Sequence, residues 1–198
     1  MLKQAAVITL LGLSSATFAG GWQVKVGASA IAPSGESDLA GGLNDVSATN
    51  EIGFTPAIEY FFADTPFSAE LLLAAPYKHE IETQGTKIGS FKHLPPTLTV
   101  KYNFKNTSRF TPYIGVGATA VIPFDEQLDS GADLKVDNAY GVAGQVGFSF
   151  QPADAKNWGV YADVRYADIA TDVEVNGANL GELEVNPWVY TVGYSYKF

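Results

Sequence analysis

The sequence predicts an all-β protein, an eight-stranded antiparallel up-and-down transmembrane β-barrel. Three observations carry that prediction. From Trp22 to the C-terminus, apolar residues alternate with small or polar ones at the period of a strand. The connections between the alternating segments are short and long in turn. The apolar parity carries no charge, while the other parity is built mostly from Gly, Ala, Ser and Thr.

Before the first strand lies a segment of a different kind. Lys3 precedes an apolar run from Ala5 to Leu13, and Ser14, Ser15, Ala16, Thr17 and Ala19 supply the small residues of a cleavage site. This pattern reads as an export signal over residues 1–19, with the barrel occupying 20–198. The 198-residue chain has no cysteine, which removes disulfides, cysteine-ligated zinc and thiol catalysis. Its formal charge of −9 argues against nucleic acid, since binding phosphates takes clustered Lys and Arg. No apolar run approaches the 18 or so residues of a spanning helix, so only strands are left to cross a membrane.

Each strand is justified by its own alternation. In the first, Trp22, Val24 and Val26 face away from Gln23, Lys25, Gly27 and Ser29. The second sets Ile52, Phe54, Ile58, Tyr60 and Phe62 against Gly53, Thr55, Ala57 and Glu59. The third runs from Phe67 to Tyr77, with Ser68, Glu70, Leu72 and Ala74 on its second face. Leu98, Val100, Tyr102 and Phe104 mark the fourth strand, and Ile114, Val116, Ala118, Ala120 and Ile122 the fifth. Val142 to Phe150 and Trp158 to Tyr166 are the sixth and seventh. The eighth is the most regular: Trp188, Tyr190, Val192, Tyr194, Tyr196 and Phe198 on one face, Thr191, Gly193, Ser195 and Lys197 on the other.

Residues 63–66, 105–109 and 151–157 form short polar turns, whereas 33–50, 78–96, 124–138 and 172–186 are long loops. An even-stranded meander places all long loops on one rim and the short turns with both termini on the other, as outer-membrane barrels do. The long loops hold four lysines against fourteen acids, a net −10, which equals the whole charge of the chain once Lys3 leaves with the signal. One rim is therefore strongly acidic.

A soluble barrel shows the same period but turns its apolar face inward and its charged face to water. Here the second parity carries few ions: Lys25, Glu59, Glu70, Lys101, Asp163, Arg165 and Lys197. That suits a cramped interior in which charges pair. The apolar parity has aromatics near strand ends (Trp22, Tyr60, Tyr77, Tyr102, Trp158, Trp188), as in girdles flanking a lipid-facing band. A charge on that face would cost about 2–4 kcal/mol at mid-depth.

Particular strings then resemble the outer membrane protein W (OmpW) family. They are His93-Leu94-Pro95-Pro96-Thr97-Leu98, Pro112-Tyr113-Ile114-Gly115-Val116-Gly117 and Ala143-Gly144-Gln145-Val146-Gly147. Asn186-Pro187-Trp188-Val189-Tyr190, the ending Gly193-Tyr194-Ser195-Tyr196-Lys197-Phe198 and Glu70-Leu71-Leu72-Leu73-Ala74-Ala75-Pro76-Tyr77 are similar too. The likeness implies a bacterial outer-membrane channel that passes small hydrophobic molecules, with lateral exit into the bilayer. Arg165 departs from what an apolar channel favours, and with its inward ionic neighbours it suggests a polar plug low in the barrel, below the exit.

Leu72, Tyr113, Val121, Tyr161 and Arg165 are the candidate channel-lining residues. The other reading of Leu72, Tyr113, Val121 and Tyr161 is that they simply fill an interior just wide enough for its own side chains. His79 and His93 flank Ser90, with Glu80 and Glu82 nearby, but no nucleophile elbow accompanies them, so no enzyme activity is expected. The acids of 124–138 lack the spacing of a calcium loop, and no metal or cofactor is expected. The partners expected are outer-membrane lipid, lipopolysaccharide and small hydrophobic molecules, with the chain a monomer. The alternative function is a non-conducting structural or interaction barrel whose acidic loops bind a partner.

Overall fold

A computed structural model describes residues 20–198, so the export signal read over 1–19 lies outside the described residues. In chain order the strands are β1 (Gly20–Ala32), β2 (Ser37–Leu39), β3 (Leu43–Ala48), β4 (Glu51–Phe62), β5 (Phe67–Leu72), β6 (Tyr77–Thr83), β7 (Thr86–Leu94) and β8 (Thr97–Asn103). They continue as β9 (Phe110–Leu128), β10 (Leu134–Val136), β11 (Ala139–Phe150), β12 (Trp158–Asp168), β13 (Ala170–Val175), β14 (Ala178–Glu184) and β15 (Trp188–Lys197).

Eight of these close a barrel in the order β11-β12-β15-β1-β4-β5-β8-β9, with β9 pairing back onto β11. Every pairing is antiparallel, for example Val26 opposite Tyr194 on one side and Pro56 on the other. The eight strands predicted from period two are these eight. Val26, Phe54, Leu98, Val100, Ile114, Val116, Val142, Val146, Val192 and Tyr194 are exposed around the outside. Gln23, Lys25, Ser29, Thr55, Glu59, Glu70, Lys101, Asp163 and Arg165 are buried inside. The lumen is filled rather than hollow, and close approach is what fills it. A Cβ on Gly193 would stand 2.8 Å from the Tyr161 ring, and one on Gly27 would stand 2.5 Å from its hydroxyl, so both glycines make room for that tyrosine.

Two expectations from the sequence need correcting. The four long segments are not open loops. Their seven short strands and the outer end of β9 build a second storey of two sheets above the barrel. One contains β2, β3, β6, β7 and the distal half of β9; the other is β10-β13-β14. Leu39, Val46, Ile81 and Phe91 of the first pack on Leu134, Val136, Val173 and Leu183 of the second. The acids lie on the outside of this apolar clamp. Two of its hairpins, β6–β7 and β13–β14, are closed by two-residue turns with positive φ at both positions, Gln84-Gly85 and Asn176-Gly177. That backbone matches the right-handed twist of the flanking strands.

The second correction concerns the third predicted strand, which ends at Leu72 rather than Tyr77. Tyr77 starts β6 and is 3% exposed, so it faces inward instead of joining a lipid-facing girdle. The short irregular piece between β5 and β6 shifts the parity, which a continuous period-two reading misses.

Candidate functional site

In the lower half of the barrel, toward the short turns, strand parity aims six ions at one another. Glu70 accepts from Lys25 at 2.6 Å, from Lys101 at 3.1 Å and from Arg165. Glu59 accepts from Lys25 at 2.6 Å and from Lys101 at 3.0 Å. Arg165 donates from Nε to Asp163 at 3.3 Å. Three cations thus meet three anions with no net charge. Ser68 donates to Glu59 at 2.6 Å, and Asn103 donates to Ser68 at 2.9 Å. Tyr113 donates to Asp163 at 2.9 Å, while the Lys101 ammonium stands 3.8 Å from the centre of its ring. Tyr161 receives the Lys25 ammonium at 4.9 Å from its ring centre. The floor is sealed by paired, hydrogen-bonded charge, the arrangement that makes buried ions tolerable.

A hydroxyl layer lies next in the strands. Ser29 shares hydrogen bonds with Thr55 at 2.8 Å and Thr191 at 2.7 Å, and Thr97 donates to Thr119 at 2.9 Å. Above it is an apolar cavity of about 70 Å³. Leu72, Val121, Ala143, Ala167 and Ile169 form its walls, with Arg165, Thr55 and Thr97 at its base.

Phe91 and Val136 belong both to the lining of this cavity and to the clamp core above it. On the far side of that core the two sheets leave a cleft of about 380 Å³ bordered by Leu39, Leu43, Ile88, Leu128, Val175 and Leu180. The clamp core separates the outer cleft from the cavity, with Phe91 and Val136 on the cavity side.

Tyr77, His79, Phe91 and His93 form an aromatic corner of the cavity. The two imidazoles stack at 5.0 Å between centres, 24° from parallel. His79 donates from Nδ1 to the Thr49 carbonyl at 2.6 Å, which assigns the proton to that nitrogen. Burial, with its neighbour His79, holds His93 down at about 3, and burial also lowers His79. Both rings are thus neutral at physiological pH. Neither forms a hydrogen bond to Ser90 or to an acid, and Glu80 is engaged with Lys87 at 2.8 Å. The hydrolase-like grouping weighed from the sequence is not assembled. Among the described residues no group of three or more His, Asp or Glu could hold a metal ion.

On one side the cavity reaches a break in the barrel wall. The ladder between β5 and β8 ends at Leu72 opposite Thr97, and the next ladder, between β6 and β7, begins at Tyr77 opposite His93. Residues 73–76 and 95–96 carry no strand pairing with each other between them. The cause is in the sequence. Leu73 and Ala75 donate to Pro56 and Phe54 of β4, and Ala120 of β9 donates to Pro96. By alternation, the pair that would next bond across the gap is Ala74 with Pro95. Proline has no N–H, so that rung is missing a donor. Ala74 and Pro95 both line the cavity, while Leu73, Leu94 and Leu98 beside them are exposed on the outer surface.

Of the residues singled out from the sequence, Leu72, Val121 and Arg165 come together at this cavity. Tyr113 and Tyr161 lie below it, in the ion network. Phe91 and Val136 escaped notice because they sit in segments that looked like polar loops, whereas Ala74 was placed on the inner face of the third strand and Tyr77 on its outer face. Leu134-Lys135-Val136 and Val173-Glu174-Val175 did carry a signal: each alternates as a half-buried strand should.

Comparison with known proteins agrees with this architecture. The OmpW family matches across residues 18–198. Outer membrane protein W of Vibrio cholerae is 36% identical, covering 96% of this chain and 95% of that protein. Outer membrane protein W of Escherichia coli is 33% identical over 98% of this chain and 96% of its own length. Among solved structures, the outer membrane protein OprG of Pseudomonas aeruginosa superposes with a TM-score of 0.78 at 27% identity. That match covers 90% of this chain and 96% of OprG.

Proposed function

The chain belongs to the OmpW family of outer-membrane β-barrels, and from that premise we propose that it carries small hydrophobic molecules inward, releasing them sideways into the bilayer. The observation that supports this most is the apolar cavity, floored by an ion network and open toward a wall gap flanked by lipid-facing leucines. A molecule that cannot cross six paired ions has one apolar way out, past Ala74 and Pro95. Passing the floor would pull its ion pairs apart, and each buried charge left without its partner costs about 3–5 kcal/mol. The wall gap instead offers a solvent as apolar as the solute, and the exit step loses no favourable contact.

In this reading the outer cleft collects solute, and Phe91 and Val136 move aside to admit it. Motion is required, because about 70 Å³ is less than half of the roughly 150 Å³ known to admit benzene to an engineered apolar cavity. The chain acts as a monomer, bordered all round by lipid, and performs no chemistry on its cargo. Lipopolysaccharide surrounds the clamp, whose outward acids face its phosphates through divalent cations.

The small cavity and sealed floor also favour a second reading, a closed barrel whose clamp binds a partner and conducts nothing. Uptake decides between them. Cells lacking their own general barrels, with and without this protein, are offered an alkane derivative and a sugar of similar size. The proposal expects faster accumulation of the alkane alone. Equal rates with and without the protein refute it.

A further inference from the structure

Arg165 is 6% exposed and lines the apolar cavity. Its Nε and Nη2 are engaged by Asp163 and Glu70, but Nη1 makes no hydrogen bond within the protein. A guanidinium carries five donors and accepts nothing, so this nitrogen holds two N–H groups in search of an acceptor. Leaving such donors unmet in an apolar surrounding is costly, more so when they are charged. Everywhere else the network is closed: Lys25, Lys101, Glu59 and Glu70 are all mutually paired. Within the ion network the open donor is this nitrogen, on a residue that lines the cavity.

The kind of acceptor follows from charge. Lys25, Lys101 and Arg165 already balance Glu59, Glu70 and Asp163. A carboxylate at Nη1 would add an uncompensated anion to a buried, neutral cluster, which carries a heavy desolvation penalty. An oxygen without charge accepts the same two N–H groups and leaves the balance intact. Tyr77 Oη and His93 Nδ1, the other unpartnered polar atoms of the lining, are likewise neutral.

We propose that Arg165 Nη1 is a binding point for a neutral oxygen acceptor, so that the passage selects apolar molecules bearing one carbonyl, ester or hydroxyl over plain hydrocarbons and over carboxylates. This inference rests on the proposed hydrophobic passage and names the substrate class it favours. The cavity holds the oxygen-bearing end, and the hydrocarbon tail extends to the wall gap at Ala74 and Pro95.

The test uses the full-length protein in outer membranes and, purified, in lipid bilayers, with methyl octyl ketone, decane and decanoate as probes. In competition for uptake the ketone is expected to exceed decane and decanoate by about tenfold, the factor that corresponds to about 1.4 kcal/mol. The variant Arg165→Met with Glu70→Gln keeps the network neutral; with it, the ketone should lose its advantage and enter no faster than decane in the same competition. Arg165→Lys, which keeps the charge but not the planar fork, should also lose the preference. In bilayers, the infrared band of an isotope-labelled ketone carbonyl should shift to lower frequency with the parent protein and not with either variant. Circular dichroism checks that each variant keeps its strands. Equal uptake of ketone and decane, or preferred uptake of decanoate, overturns the assignment and leaves the passage standing. No uptake of any probe refutes the passage, and the carbonyl band then decides the binding point: an unshifted band means that water, not cargo, meets Nη1.

Discussion

Replacing Glu70 with Gln tests whether the barrel floor is held by its ions. Glu70 is fully buried and is the one group that touches all three cations, Lys25, Lys101 and Arg165. The substitution keeps size and shape but leaves three buried positive charges facing two negative ones. Removing one partner of a buried pair costs about 3–5 kcal/mol, mostly for the stranded charge. The upper part of that range applies here, since three cations lose their shared acceptor at once. The measurement is denaturant unfolding of the refolded barrel in bilayers, followed through its tryptophans. A second variant, Glu70→Gln with Lys25→Met, returns the cluster to two cations and two anions. Its loss should be smaller than that of Glu70→Gln alone, although two residues are changed. A single-variant cost below about 1 kcal/mol, the scale of a weak surface pair, would refute the reasoning. So would a double variant whose loss equals the sum of the two singles, because independent sites add and coupled ones do not.

Three further predictions concern the passage. Pro95→Thr restores the missing N–H opposite Ala74; hydrogen exchange should show the β5–β8 ladder extended, and alkane uptake should fall with the barrel intact. Ala143→Phe fills the cavity and should reduce uptake while lowering stability by about 1–3 kcal/mol, the usual cost of overpacking. The third concerns pH. His93 is neutral when folded down to about 3, against 6.5 when exposed, so the unfolded clamp binds the proton first as pH falls. Its contribution is therefore complete above 6.5 and is lost on acidification toward 3, at about 1.4 kcal/mol per pH unit. Proteolysis of the β6–β7 hairpin should accelerate as pH drops below 6.5, and His93→Phe should flatten that dependence.

How much of this was legible beforehand depends on the range of the interactions. Barrel strands were readable because lipid outside and a packed interior impose opposite demands on alternate residues. Val24 and Lys25 declare their faces without any partner being known. The inward ions were identifiable for the same reason, and their mixed signs implied pairing. The clamp was not legible as such. Its strands are three to nine residues long, and the fourteen acids of those segments read as solvated loops. Leu39, Phe91, Val136 and Leu183 form a core because segments far apart in the chain meet above the barrel.

The site divides along the same line. Leu72, Val121 and Arg165 were singled out by parity alone, whereas Tyr113 and Tyr161 share that parity but lie at another height, which only strand register fixes. Pro95 and Pro96 lack a backbone donor wherever they sit, yet which of them breaks the wall depends on the partner each faces. By itself the sequence determined most of the barrel's faces, the barrel's strand count and the acidic rim, because these follow from local alternation between two environments. The tertiary structure alone decided which ions meet, which arginine nitrogen stays open and where the wall parts, because those depend on the register and stagger of strands that the chain brings together from far apart.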